Sequence, residues 1–121
     1  MAKLFSISTE GLKKETKGIL YVLVMRLDCG KEFYKIGVTQ RSKIEERVAE
    51  IVTGFFIKYR YFPYCYPKRF KSTENVYAKE AVLHNKFKEF KYETEHKFGG
   101  STEMFAGLAL EEILEAYESI I

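Results

Sequence analysis

The sequence predicts a small α+β domain in which a three-stranded antiparallel sheet is flanked by helices, in the order β-β-α-β-α-α. Three observations support this fold class. The chain has 121 residues, the length of one ordinary domain. A nearly continuous aliphatic run is followed by three segments in which apolar residues recur at helical spacing. We therefore expect a single domain, residues 1–121, with a motif-bearing core over about 18–105 and a last helix over about 108–120.

The first two strands are predicted to form the centre of the sheet. Residues 18–27 (GILYVLVMRL) are almost all apolar, which is typical of a central strand covered on both faces. The turn-forming residues 28–30 separate this run from residues 32–38 (EFYKIGV), which we interpret as a second strand. Such a short connection makes the two strands an antiparallel hairpin.

A helix and a third strand are predicted next. Ser42 and Glu45 have the spacing of a capping box, and apolar residues then recur at helical intervals until Gly54. This pattern predicts a helix of about ten residues. Residues 55–62 (FFIKYRYF) alternate between apolar and basic side chains before two prolines, which predicts a third strand.

Two further helices complete the expected order of elements. Ser72 and Thr73 are candidate caps for a helix that runs to about Lys91, and another helix is expected at about 108–120. The predicted core-facing residues of these two helices are Val76, Leu83, Phe87 and Phe90 in the first, and Leu110, Ile113, Leu114 and Tyr117 in the second.

Composition excludes several classes of protein. Apolar residues make up 46% of the chain and charged residues 31%, which is typical of a globular protein and not of a disordered one. The longest apolar stretch, residues 19–25, is far shorter than the roughly 20 residues that cross a bilayer, so we expect no membrane association. The first residues lack a signal-peptide core, and we expect a cytoplasmic protein in which Cys29 and Cys65 are unpaired thiols.

The charge is polarised along the chain although the net charge is only +3. Residues 55–91 hold nine Lys or Arg against three Asp or Glu, whereas residues 92–121 hold one against seven. An anionic polymer would be attracted to the first segment and repelled by the second. We expect a surface that binds the nucleic-acid backbone without reading sequence, formed by Lys58, Arg60, Lys68, Arg69 and Lys71.

A few polar residues interrupt the apolar pattern. Glu80 falls on the buried stripe of its helix, between Leu83 and Phe87 on the helical wheel, so it needs a cation, a metal ion or a position at a solvated rim. Arg47 flanks the first helix, where it is either an ordinary boundary arginine or reaches the edge of the sheet. Tyr21 and Lys35 lie on paired strands. Either their phenol and ammonium groups are close together, or Tyr21 is an ordinary core residue.

These residues together resemble the GIY-YIG nuclease superfamily over roughly residues 18–105. The first motif is Gly18, Ile19, Leu20 and Tyr21, with one leucine inserted before the tyrosine; the second is Lys35, Ile36, Gly37, Val38 and Thr39. Arg47 and Glu80 follow on later helices, then a leucine–histidine pair ending at His84, and then residues 100–105 (GSTEMF). The resemblance is closest to a short phage and bacterial branch with Lys-Ile-Gly in place of Tyr-Ile-Gly.

The resemblance implies a nuclease that cleaves DNA phosphodiester bonds with one Mg²⁺ or Mn²⁺ per active site. Tyr21 would position or deprotonate the attacking water, Arg47 would stabilise charge on the scissile phosphate, and Glu80 would hold the metal. The expected partner is double-stranded DNA. The expected setting is a phage or mobile-element nuclease, in the host cytoplasm if phage-encoded, with room for a homodimer or a recruiting protein.

The chain departs from the family pattern at several positions. Lys35 replaces the second motif tyrosine, with Tyr34 one residue earlier on the opposite strand face; we hypothesise that Lys35 favours the phenolate of Tyr21. Ile51 stands where many members carry a His or Tyr, so a proton donor must come from elsewhere. His84 and Glu103 are the candidates.

Two other functional classes fit the sequence. One is a catalytically silent nucleic-acid-binding module of the same fold. The other is a protein-interaction domain that uses the acidic face of the last helix. The joint presence of Tyr21, Arg47 and Glu80 favours the nuclease.

Overall fold

The computed structural model describes residues 16–98 and 101–121, and they form an α+β fold built on an antiparallel sheet. The sheet has four strands in the order β3-β1-β2-β4. Short 3₁₀ turns occupy Lys88–Phe90 and Ser101–Glu103. The strands and helices are β1 (Gly18–Arg26), β2 (Glu32–Thr39), α1 (Ile44–Tyr59), β3 (Tyr64–Thr73), α2 (Val76–Lys86), β4 (Met104–Phe105) and α3 (Leu110–Ile120).

Strand β1 is the central strand and is covered on both faces, as predicted. Leu20 and Val22 point to one side, where they pack in a core with residues of α2 and α3. Tyr21, Leu23 and Met25 point to the other side and pack against α1. This alternation between two buried faces explains why the strand is almost entirely apolar. The hairpin with β2 is likewise confirmed, with Tyr21 opposite Gly37.

The predicted boundary between the first helix and the third strand is wrong. Helix α1 continues through Gly54 to Tyr59, because Ile44, Ile51 and Phe55 form one buried helical stripe. Ile57, which a strand would bury beside Phe55, is 56% exposed. The helix ends at Arg60 in the left-handed conformation, and the third strand is Tyr64–Thr73 instead of residues 55–62.

The predicted helix caps are also wrong. Helix α1 follows Lys43, which is extended and caps the helix without a side-chain hydrogen bond, so Ser42 and Glu45 form no capping box. Ser72 and Thr73 belong to the end of β3, where they pair with β1, and α2 begins after Asn75. Helix α2 stops at Lys86 and continues as a 3₁₀ turn, so it is shorter than predicted.

The fourth strand was not predicted. Strand β4 has only two residues, Met104 and Phe105, which pair with Lys35 and Tyr34 of β2. A segment this short has no detectable alternation in the sequence. Because β4 is so short, the β2 edge is unpaired by any strand from Ile36 onward among the described residues. The candidate site lies at this open edge.

Helix α3 confirms the predicted last helix and packs on the α2 side of the sheet. Ile113 and Tyr117 are buried, and the Tyr117 hydroxyl donates a hydrogen bond of 2.7 Å to the backbone oxygen of Leu20. Cys29 and Cys65 are both free thiols, as expected. Within the described part of the chain, no helix is long and apolar enough to cross a membrane.

Candidate active site

The phenol oxygen of Tyr21 is the centre of a buried polar cluster. It accepts hydrogen bonds from Lys35 Nζ at 3.0 Å and from Arg47 Nε at 3.2 Å. Tyr21 and Lys35 are fully buried, whereas Arg47 keeps 22% of its side chain exposed. Lys35 reaches the phenol as a diagonal neighbour, because the residue directly opposite Tyr21 is Gly37. The fold therefore directs two cationic donors to one phenol oxygen.

Gly37 provides the space for this phenol. A Cβ atom at position 37 would lie 2.4 Å from the Tyr21 oxygen and 2.6 Å from its ring carbon Cζ. Such contacts are impossible without movement of the ring or the strand. Gly37 of the second motif is therefore required because any larger residue would overlap the ring of Tyr21 in the first motif.

We predict that Gly37→Ala destabilises the protein by about 1–3 kcal/mol, because the new methyl group overlaps the Tyr21 ring. Urea unfolding measures this cost. In a Tyr21→Ala background the ring is absent, and the same Gly37→Ala change should be nearly neutral or stabilising. Equal costs in both backgrounds would show that Tyr21 does not rest on Gly37.

Lys35 is a buried ammonium group balanced by a carboxylate. Its Nζ forms an ion pair with Glu103, which ends the 3₁₀ turn just before β4. The pairing of Met104 with Lys35 places Glu103 next to the ammonium. A buried lysine without such a partner would cost several kcal/mol, so Glu103 stabilises the position of Lys35.

Glu80 of α2 lies beside Glu103 at the open edge of β2. Its side chain is only 17% exposed, and the Glu103 carboxyl group is close enough to influence its protonation. Burial, followed by the hydrogen bond and the charge of Glu103, raises the pKa of Glu80 to about 8, while Lys35 acts in the opposite direction. Glu80 is therefore a largely buried carboxyl group and not a solvated rim residue.

The oxygen donors at this edge fit a hard divalent cation. Mg²⁺ commonly binds through one or two carboxylates and completes its coordination with water and phosphate oxygens. Glu80 and Glu103 are two adjacent carboxyl groups, and repulsion between them would be relieved by a cation. Over residues 16–98 and 101–121, no group of three or more His, Cys, Asp or Glu side chains is placed to hold a metal. The described residues would thus supply at most two carboxylate ligands.

A family model for the T5orf172 domain matches residues 18–121. The chain belongs to the T5orf172 domain family. This is a GIY-YIG-like, nuclease-associated family of phage and bacteria. The match begins at Gly18, the first residue of the motif that contains Tyr21. No curated protein and no solved structure matches the chain significantly.

His84 and Tyr34 lie near the candidate active site of this T5orf172 domain and do not contact Tyr21. His84 Nε2 donates to the backbone oxygen of Ile36 at 2.7 Å and lies 4.0 Å from Glu80 Oε2. The imidazole thus satisfies a backbone carbonyl where β4 no longer pairs, and its role as proton donor stays a prediction. The Tyr34 hydroxyl donates to Glu32 on the opposite face of β2, and burial, with this hydrogen bond, raises its pKa.

The five basic residues predicted to bind DNA do not form one surface on the Tyr21 face. Lys58 and Arg60 are exposed at the end of α1, and Lys68 is exposed on the edge strand β3. Arg69 and Lys71 pair with Val22 and Leu20, so they project to the sheet face opposite Tyr21. Arg69 also forms an ion pair with Glu118 of α3 at 3.4 Å. Their binding of DNA stays a prediction.

The sequence analysis did not identify two charged residues near Arg47 in the candidate active site, Glu50 and Arg41. Glu50 lies 3.6 Å from Arg47, and at 2.7 Å it accepts a hydrogen bond from Arg41. The spacing of Arg47 and Glu50, three residues apart on a helix, was a usable signal for this pair. Arg41 lies in the connection before α1 and carried no such signal. Gly100, the first residue of the last motif, lies outside the described residues.

Proposed function

We propose that this T5orf172 domain is a metal-dependent endonuclease that hydrolyses phosphodiester bonds of double-stranded DNA. The observation that carries the proposal is the convergence of Lys35 and Arg47 on the buried Tyr21 oxygen, beside the carboxyl groups of Glu80 and Glu103. Three kinds of group that phosphodiester hydrolysis requires are thereby within one cluster: a candidate base, cations for the phosphate, and carboxylate ligands for a metal.

Tyr21 is the candidate base: in its phenolate form it would accept a proton from the attacking water and become the neutral phenol. Lys35 and Arg47 both donate hydrogen bonds to that oxygen, and donors of this kind stabilise negative charge on it. They also fix the orientation of the ring, which Gly37 leaves room for. The lysine that replaces the second motif tyrosine would in this way support the function of Tyr21.

Arg47 is the candidate group for the scissile phosphate. Its Nε contacts Tyr21, and part of its side chain remains exposed. A guanidinium presents several donors in one plane and stays charged at all relevant pH values, so one nitrogen can contact the phenol while others bind phosphate oxygens. The additional negative charge of the pentacoordinate transition state would be stabilised by this group.

Glu80, together with Glu103, would hold the Mg²⁺ or Mn²⁺ ion. When bound, such an ion polarises the phosphate and balances developing negative charge. Glu103, which pairs with Lys35, would then link the phenol-bound lysine to the ligand Glu80.

Plasmid nicking tests this function. The wild-type protein should convert supercoiled plasmid to the open form with Mg²⁺ or Mn²⁺, and an excess of EDTA should stop the reaction. A Glu80→Ala protein of matched purity should be inactive. Cleavage that persists in the variant would indicate a contaminant or a wrong metal ligand, and salt-sensitive DNA binding without any cleavage would favour a catalytically silent binding module.

A further inference from the structure

A second polar feature lies beside the candidate active site, at the end of the sheet where β1 begins and β2 ends. It is a cleft of about 280 Å³, bordered by both strands, by β3 and by the connection that leads to α1. Two basic residues and three hydroxyl residues contribute to its wall, and none of the described residues that line it is an Asp or Glu. These five residues are Lys17, Thr39, Arg41, Ser42 and Ser72.

The cleft opens on the same face of the sheet as Tyr21. Thr39 and Ser72 both pair with Ile19, one on each side of β1. Ile19 is two residues before Tyr21, so the two side chains point the same way and lie about 7 Å apart along the strand. Tyr21 itself is buried, but Arg47, which contacts it, keeps part of its side chain exposed. A polymer chain bound at Arg47 would therefore lie close to the cleft.

One carboxylate connects the cleft to the active site. Glu50 accepts a hydrogen bond from Arg41 in the cleft wall and forms an ion pair with Arg47, which contacts Tyr21. The Arg41 and Arg47 guanidinium groups thus lie on either side of Glu50. Arg41 is 53% exposed and keeps donors available for a further acceptor.

We infer that this cleft binds a phosphate of the DNA strand that neighbours the scissile phosphate, an inference that rests on the proposed function. Arginine, lysine and hydroxyl groups are the side chains that hydrogen-bond phosphate oxygens. Glu50 is shared between Arg41 and Arg47, so among these described groups the three cations Lys17, Arg41 and Arg47 outnumber the one carboxylate. Such a contact sets the position of the strand relative to Tyr21 and Arg47 and carries no sequence information.

The test is equilibrium binding of a labelled 20-base-pair duplex by the full chain in EDTA, measured by fluorescence anisotropy across a range of salt concentrations. Arg41→Gln should weaken binding about fivefold to tenfold and reduce the slope of log K against log salt by about one. Lys17→Gln, on the other side of the cleft, should have the same kind of effect. Thermal melting checks that both variants fold, which the exposure of both side chains leads us to expect.

The matched control is Arg26→Gln, which removes the same charge from an exposed ion pair at the opposite end of β1. Its affinity should stay within about twofold of the wild-type value. Equal effects of Arg41→Gln and Arg26→Gln, or no binding of DNA by the wild-type protein, would overturn the inference. Because this assay does not involve cleavage, a protein that binds as predicted but never nicks DNA would overturn the proposed function alone.

Discussion

A protein carrying Glu80→Gln is expected to melt at a temperature no lower than the wild-type protein and yet to lose its nicking activity. The carboxyl group of Glu80 is largely buried and lies against a second carboxyl group, an arrangement that disfavours the charged form. A glutamine of the same size removes the repulsion from the folded state. The same substitution removes the negative charge that would hold the metal ion, and we expect cleavage to fall by about 10²–10³-fold.

Thermal melting and plasmid nicking on one preparation measure both effects. Glu74→Gln is the matched control, because Glu74 is an exposed carboxylate just before the same helix. It should change neither the melting temperature nor the cleavage rate appreciably. A Glu80→Gln protein that is less stable and fully active would show that Glu80 has a structural role only. Opposite changes in stability and activity are the expected signature of a residue kept for function.

The second large effect concerns the Lys35–Glu103 ion pair. Glu103→Ala is expected to destabilise the protein by about 3 kcal/mol, because it leaves a fully buried ammonium group without its carboxylate. Lys35→Met should cost less, about 1–2 kcal/mol, since Glu103 is partly exposed and can be solvated while Tyr21 loses one donor. The double variant should be more stable than Glu103→Ala alone, because it no longer contains the unpaired charge.

Urea unfolding at neutral pH gives these free energies. The chain contains a matched exposed pair, Arg26–Glu32, whose two side chains are 50% and 33% exposed. Glu32→Ala should cost less than about 1 kcal/mol. If Glu103→Ala cost no more than Glu32→Ala, the buried ammonium would not depend on Glu103, and the proposed link between Lys35 and the site carboxylates would fail.

The sequence was informative where a residue contradicted a strong pattern. Glu80 was a charged residue on an apolar helical stripe, and the structure places it in a largely buried position beside Glu103. The central hairpin was predictable because β1 is buried on both faces and therefore has a continuous apolar run. Tyr21, Lys35 and Arg47 also lie on elements with clear patterns, whereas Glu103 lies in a short turn before β4 and was a candidate only through the family resemblance.

The third strand was misplaced because two periodicities coincide. Residues 55–59 alternate like a strand, yet Phe55 also continues the helical stripe of Ile44 and Ile51, and tertiary packing selects the helix. The true strand, Tyr64–Thr73, is an edge strand with mostly exposed side chains, so it shows no clear apolar alternation. Two features of the site could not be predicted from local sequence: the space that Gly37 leaves for the Tyr21 ring, and the pairing of β4 with β2. Both depend on contacts between residues that are distant in the sequence.

The order in which the polar cluster forms follows from the positions of its members along the chain. Along the sequence, Tyr21 is 14 residues from Lys35 and 26 residues from Arg47. Lys35 is 68 residues from Glu103. Loop closure becomes more costly as the separation grows, and the early part of a chain emerges first during synthesis. The hairpin thus presents its ammonium group long before the carboxylate that neutralises it has been made. A nascent chain must keep Lys35 in contact with water until the segment around residue 103 docks, so the site cannot become dry before most of the domain has been made.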